Sequence, residues 1–402
     1  MTIQTKTASR RRVLKGLAAG AGLAAASSFV PARFAIGQQA KLRLGLMLPY
    51  TGTYAALGKN IDDALRLAIN EKGGKLGGRA IEYITLDDES DPAKGADNAN
   101  KLVSGGKVDF MIGTVHSGVV MAMVKVARDT DTMLVIPNGG VGAATGALCA
   151  PNIFRTSFTN WQPAYAMGKV AAAEGRKTAV VISWDYAAGK ESTDGFTQGF
   201  TEGGGKTIKE LFLPFPNVEF QPLLTEIAAT KPDCSYAFFA GGGAVKFVKD
   251  YAGAGLGTTI PLVGPGFLTD GTLEAQGDSA QGLETTLHYA DGLTFPKDIA
   301  FRAAFKKATG RDADVYAVHG YDTGTLLISG LAAVKGDVKA RAALVGAMEK
   351  TVFDSPRGRF TLSKAHNPVQ DIYLRKVKGV QNLYVRVAIK GLADPATGCK
   401  MA

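Results

Sequence analysis

The chain has 402 residues, 46% of them apolar and 20% charged, enough to bury a large core, so disorder, collagen and a small disulfide scaffold are excluded. Its net charge of +10 is concentrated at one end. Lys6, Arg10, Arg11, Arg12, Lys15 and Arg33 have no acidic counterpart within residues 1–40, and setting them aside leaves 40 basic against 36 acidic residues. No basic run interleaved with aromatics occurs in that remainder, so no nucleic-acid partner is expected.

Residues 1–37 read as an export signal. Ser9-Arg10-Arg11-Arg12-Val13-Leu14-Lys15 suits the twin-arginine route, a weakly apolar stretch follows to Val30, and Ala35-Ile36-Gly37 offers a small-residue cleavage site. No later stretch approaches the roughly 18–20 apolar residues needed to cross a bilayer, so a periplasmic product is expected. Cys149, Cys234 and Cys399 are an odd set, allowing at most one internal bridge. A Cys149–Cys399 pair is one option, and Cys234, opening an apolar strand, reads as a small buried hydrophobe.

From Leu42 the pattern alternates between short apolar runs and amphipathic segments. Leu42 to Leu48 predicts a buried strand, and Ile61, Ala64, Leu65, Ala68 and Ile69 form one helical stripe that Lys72-Gly73-Gly74 ends. Ile81 to Leu86 is the next strand, and Asp91-Pro92 opens a helix to about Val103. Val108–Gly113 and Met133–Ile136 continue the series. After Asn152-Ile153-Phe154-Arg155 it restarts, with strands at Thr178–Ser183, Thr207–Leu213, Cys234–Phe239, Ile260–Val263 and Gly282–His288, and helices at 191–202, 220–229 and 244–254. Helices follow near 298–308, 314–334 and 338–350. Gly358–Leu362, Asp371–Val377 and Leu383–Ile389 read as antiparallel strands, the last two joined by Lys378-Gly379-Val380-Gln381-Asn382. The fold class is α/β. Ten or so strands exceed one open sheet, so two lobes with central parallel sheets are expected.

Catalytic and cofactor signatures are missing. Gly241-Gly242-Gly243 follows a strand but lacks the third glycine and the distal acid of a dinucleotide loop. His116, His288, His319 and His366 show no metal-ligand spacing, and Asp87-Asp88-Glu89-Ser90-Asp91 lacks the glycine and distal glutamate of a calcium loop, so it reads as a solvated helix start. No nucleophile elbow occurs. Neither enzyme activity, cofactor nor metal is expected.

Polar loops at the carboxyl ends of strands remain. Gly113-Thr114-Val115-His116-Ser117-Gly118 leads into a helix over Val119–Arg128, placing the Ser117 hydroxyl and free N–H groups at a positive helix end suited to a carboxylate. Ser117 fits an ordinary N-cap equally well. Pro137-Asn138-Gly139-Gly140 ends the next strand, and its glycines are expected to offer further N–H donors.

These loops resemble the leucine/isoleucine/valine-binding class of periplasmic solute-binding proteins over nearly the whole mature chain. The resemblance rests on Leu46 to Gly58, Asn70-Glu71-Lys72-Gly73-Gly74, Asp87-Asp88 with Asp91-Pro92, Ile112-Gly113 with Ser117, Phe154-Arg155-Thr156 and Asp185-Tyr186-Ala187-Ala188-Gly189. It implies a type I Venus-flytrap fold that delivers a small solute to the membrane permease of an ABC importer. Lobe crossings would fall near 156–160, 289–292 and 352–356, giving lobe 1 at 41–158 and 291–352, lobe 2 at 159–290 and 353–390, and a tail at 391–402.

In that class one lobe grips a carboxylate, matched by Ser117 and by Asn138, Gly139 and Gly140. Tyr186 loosely matches a tyrosine of the other lobe. The class also places an acid after a Gly-Pro pair to hold an α-ammonium, whereas Gly264-Pro265 is followed by Gly266. A buried ammonium lacking a partner is costly, so amino acids are disfavoured. Gly242 and Gly243 stand where the class commonly has a bulky aromatic, leaving room for a wider solute. The expected ligand is therefore an aromatic carboxylate of benzoate or phenylpropenoate type. Tyr50, Tyr54, Trp161, Tyr186 and Phe267 are the expected ring partners, and His116 is expected to serve a ring hydroxyl. Asp185 is the residue able to replace the missing acid. The alternatives are a branched-chain amino-acid binder, a ligand-sensing flytrap and an exported enzyme.

Overall fold

Parallel strands covered on both faces should be buried along their length, and Leu42–Leu48 (β1) is nearly so. The computed structural model describes residues 40–402, and the signal expected at 1–37 lies outside them. After β1 the chain forms α1 (Ala55–Asn70), β2 (Lys75–Leu76), β3 (Arg79–Asp87), α2 (Pro92–Asn100), β4 (Phe110–Ile112), α3 (Ser117–Thr130), β5 (Met133–Ile136) and β6 (Ile153–Arg155). These strands make a six-stranded sheet in the order β2-β3-β1-β4-β5-β6, parallel except for β2.

A second, nine-stranded sheet follows. Its parallel part is built from α4 (Trp161–Ala173), β7 (Thr178–Trp184), α5 (Ala187–Glu202), β8 (Lys206–Leu213), α6 (Gln221–Thr230), β9 (Cys234–Phe238), α7 (Gly241–Gly253), β10 (Leu262–Pro265), α8 (Leu273–Gln276) and β11 (Glu284–Leu287). Helices α9 (Pro296–Thr309), α10 (Val315–Ala333) and α11 (Arg341–Glu349) return to the first lobe. There Asn60 on α1 donates to Asp314 at 2.7 Å and Tyr321 donates to Glu71 at 2.6 Å. Finally β12 (Phe353–Ser355), β13 (Gly358–Leu362), β14 (Pro368–Lys378) and β15 (Gln381–Leu392) add antiparallel strands beside β11. The two-lobed α/β architecture read from the sequence is the one observed.

The chain thus passes between the sheets after β6, after β11 and after α11. Arg357, fully buried, knits these passages together. It donates to Ser157 O at 2.8 Å and Gln370 Oε1 at 2.6 Å, and its Nε lies 3.0 Å from Asp322. Burial lowers its pKa to about 10, so it stays charged at neutral pH. Strands β12 and β13 pair with the second sheet while their Phe353 and Phe360 pack in the first lobe's core. Cys149 and Cys399 are bridged, tying the tail to the loop after β5. Cys234 is buried with a free thiol that burial pushes up to about 12. Among the described residues no helix is long and apolar enough to cross a membrane.

Candidate functional site

The first lobe's wall is set by two loops. Past β4, His116 caps α3, its Nδ1 accepting from the Gly118 N–H at 3.0 Å. The N-cap role that the sequence left open for Ser117 belongs to His116: Ser117 is the first helical residue, buried, and its hydroxyl makes no hydrogen bond among the described residues. Because Nδ1 accepts, the neutral imidazole carries its proton on Nε2, which is buried without a partner. Burial pulls the His116 pKa down to about 4, so the ring is neutral at pH 7.

In the loop after β5, the Gly139 N–H donates to Thr114 O at 2.7 Å. That correction removes Gly139 from the donors facing a solute; it joins the two loops instead. Gly140 is pressed against the crossing segment, where a Cβ would lie 2.4 Å from Asn160 Oδ1 and 2.6 Å from the Phe158 ring. Its N–H has no partner among the described residues. The acidic run, expected to be solvated, supports this wall: Asp87 accepts from Tyr50 N at 2.9 Å, and fully buried Asp88 bonds Thr114 Oγ1 and, at 2.8 Å, Ser90 N.

The second lobe supplies rings. Tyr186, at the start of α5, meets Tyr54 of the first lobe with hydroxyls 3.1 Å apart. His116 stacks on Tyr186 at 4.9 Å, with Phe215 edge-on at 4.8 Å. Phe267 packs on Phe158 at 4.5 Å. The cavity between the walls is lined by Tyr54, Ser117, Asn138, Gly140, Tyr186 and Phe267 of the residues singled out in the sequence; His116 is not in the lining but stacks on Tyr186, which is. Leu57, Val115, Phe158, Asn160, Ala188, Phe238, Ala240 and Tyr316 complete the lining. No charged side chain is among them. Tyr316 is buried and its hydroxyl lacks a partner. The space left between the walls is about 20 Å³, room for about one water, so a ring-sized solute is admitted only by parting the walls. A larger cleft of about 750 Å³ runs between Thr269–Glu274 and Arg311–Asp314. It is crowded with charges of both signs, whereas the small cavity has the apolar walls and few convergent donors of a small-molecule site.

Several sequence-based assignments are corrected. Tyr50 turns to α1, donating to Asp62 at 3.0 Å. Trp161 begins α4, a helix the sequence reading missed, and there stacks on Tyr165 and donates to Gln198 at 2.8 Å. Asp185 is exposed and paired with Lys190 at 2.8 Å. Gly242 has the open space expected above it but lies outside the cavity lining, whereas the space above Gly243 is filled by Trp184, whose ring would lie 2.3 Å from a Cβ. Gly266 backs onto Arg375, which donates to its carbonyl at 3.2 Å and pairs with buried Asp270 at 2.6 Å. Phe158 and Asn160 went unnoticed although they lie in the expected crossing. Tyr316 gave no signal, because α10 is buried on nearly every face.

Comparison with known proteins establishes the family and the fold. The family model described as periplasmic binding protein matches residues 41–382. The Leu/Ile/Val-binding protein homolog 6 of Brucella melitensis biotype 1 is 30% identical over 345 residues, covering 84% of this chain and 87% of that one. A solute-binding protein of an ABC transporter from R. palustris, solved with benzoate, is 50% identical with a TM-score of 0.88, covering 90% of this chain and 100% of that one. Another, from Rhodopseudomonas palustris BisB5 and solved with 3,4-dihydroxybenzoic acid, is 31% identical with a TM-score of 0.83, covering 88% and 99%.

Proposed function

The chain belongs to the periplasmic binding protein family, and from that premise we propose that it captures an aromatic carboxylate of benzoate type and hands it to the permease of an ABC importer. The observation that carries this reading is a cavity with unengaged donors on one wall, rings contributed by both lobes and no charged side chain among the described residues lining it. The Ser117 hydroxyl, the Gly140 N–H and the α3 N-terminus would hold the carboxylate. Phe158, Tyr186 and Phe267 would flank the ring, and the His116 Nε2–H and Tyr316 hydroxyl are donors for ring substituents. An α-ammonium there would be buried without a counter-charge, since Asp185 pairs outward with Lys190. The benzoate complex of the half-identical R. palustris protein supports the same choice.

Solute binds the donor wall, the ring wall swings over it, and the permease reads the closed form; differential affinity for that form drives closure. In the closed form Gly241, with φ +55°, lets the Thr53 carbonyl approach within 2.5 Å of where a Cβ would sit. An export signal at 1–37 of twin-arginine type would deliver the chain to the periplasm.

Calorimetric titration with benzoate, hydroxybenzoates and leucine tests the reading. Benzoates should bind and leucine should not, and Ser117→Ala should weaken benzoate roughly tenfold, as loss of a hydrogen bond to a charged group does. Binding of leucine alone would sink the proposal.

A further inference from the structure

Beneath the cavity, Asn138 is joined to two imidazoles. Its Nδ2 lies 3.0 Å from His319 Nδ1, and His319 Nε2 lies 2.7 Å from His288 Nε2. All three side chains are buried, and Phe158 stacks against both rings at 5.5 and 5.6 Å. The contact also spans the lobes, since His319 is on α10 while His288 directly follows β11 at the second crossing.

Two neutral imidazoles facing each other through Nε2 must be one donor and one acceptor, and that choice fixes their other nitrogens. If His319 Nε2–H donates, His319 Nδ1 accepts from Asn138 Nδ2, and the amide turns its oxygen toward the cavity. If His288 Nε2–H donates, His319 Nδ1–H donates to Asn138 Oδ1, and the amide turns its NH2 toward the cavity. Burial first, and then the Arg357 guanidinium, hold both rings well below the usual histidine range, with Arg375 adding to the effect at His288, so neither is charged at pH 7.

We propose, resting on the aromatic-carboxylate reading, that His288 and His319 are positioning residues forming a tautomer relay, and that a carboxylate solute selects the arrangement in which Asn138 donates to it. The exchange conserves protons. His288 Nδ1 is buried without a partner in this form, so the exchange takes place while the lobes are parted: one proton passes from His319 Nε2 to His288 Nε2, His288 Nδ1 releases one to the water then admitted, and His319 Nδ1 takes one from cavity water.

The test is 15N NMR of the histidine-labelled chain, with calorimetry alongside. Free protein should show His319 Nδ1 unprotonated and a coupling across the two Nε2 atoms; saturating benzoate should protonate His319 Nδ1. His288→Phe, which keeps the ring stacked on Phe158, should weaken benzoate about tenfold, the size expected when a donor to a charged acceptor is turned away. His288→Gln, which restores a polar partner, should recover most of that loss. With benzoate bound, an unprotonated His319 Nδ1, or equal losses from Phe and Gln, overturns the relay. Failure of the wild-type chain to bind any benzoate instead overturns the functional reading, and the Nε2 coupling in free protein then decides the relay alone: its absence overturns it.

Discussion

The two walls of the cavity are made differently. The first lobe brings the rings of Tyr54, Phe158 and Tyr316 to the cavity, but its donor wall is backbone and short polar side chains held by buried hydrogen bonds, with Gly139 bonded to Thr114, Thr114 to Asp88, and Asn138 to His319. The second lobe's wall is a stack of rings whose positions depend on one another, Trp184 touching Phe215 and Phe239, and Phe215 touching Tyr186 and His116. The polar wall fixes where a charge can sit, since an unengaged donor is useful only at one distance. The ring wall selects shape and tolerates substitution, because offset aromatic contacts accept a range of geometries.

If the polar wall is the rigid one, disturbing it should have the largest effect. Gly140→Ala puts a Cβ 2.4 Å from Asn160 Oδ1 and 2.8 Å from its N, so the loop must shift. We expect a loss of about 1–3 kcal/mol in stability from overpacking and of order a hundredfold in benzoate affinity, about 3 kcal/mol. Gly142→Ala, whose nearest neighbour would be Glu191 Oε1 at 3.6 Å, should do neither. Calorimetry and thermal melts check both, and wild-type affinity in Gly140→Ala would show that the loop is not rigid.

The same contrast explains what was legible in the sequence. The polar wall follows from local pattern, a strand end, a short polar loop and a helix start, and so Ser117, Asn138 and Gly140 were found together. Even there two roles differ: His116 caps α3 through a contact two residues along the chain, and Gly139 gives its N–H to Thr114 in the neighbouring loop. The ring wall is non-local. That Trp184 fills the space above Gly243, or that Arg375 backs Gly266, depends on strands far apart in the chain. Helix α4 escaped because Ala164, Ala166, Gly168, Ala171 and Ala172 are buried around it and leave no polar stripe. Trp161 was misplaced with it. Asp88 looked solvated because charge runs usually are; only the fold shows it buried beneath Thr114. The Cys149–Cys399 bridge, spanning 250 residues, was one of several pairings open to three cysteines.

The ring wall should respond more gently. Phe267→Leu keeps an apolar side chain against Phe158, Phe238 and Tyr316 but removes the ring contact with the solute, for which about 0.5–1.5 kcal/mol is typical. Benzoate affinity should fall roughly two- to tenfold. Cyclohexanecarboxylate, with the same charge and no π-face, should lose less, so the ratio of the two affinities reads the ring contact alone. An unchanged ratio would mean that the wall selects bulk rather than aromaticity.

The smallest expected effect on affinity comes with a pH-dependent effect on stability. Desolvation pushes the Asp88 carboxyl up from 3.8 to about 6 against its hydrogen bonds from Thr114 and Ser90. The sign follows from linkage: between about pH 4 and 6 the folded chain holds a proton that the unfolded chain has released, so this group's contribution falls as pH rises through that window and is level above it. The full shift corresponds to about 3 kcal/mol as an order of magnitude. Asp88→Asn can still accept from Ser90 and donate to Thr114, and has nothing to ionise. Denaturant unfolding should find the variant matching wild type near pH 4 and more stable at pH 7.5 by about 1–3 kcal/mol. Some slope should persist in both proteins, because Asp314 and Asp322 are raised to about 6 as well. Benzoate affinity at pH 7.5 should be unchanged in the variant, since Thr114 keeps its partner. A drop there would mean that the ionised Asp88 itself, and not the hydrogen bond, holds the polar wall in register.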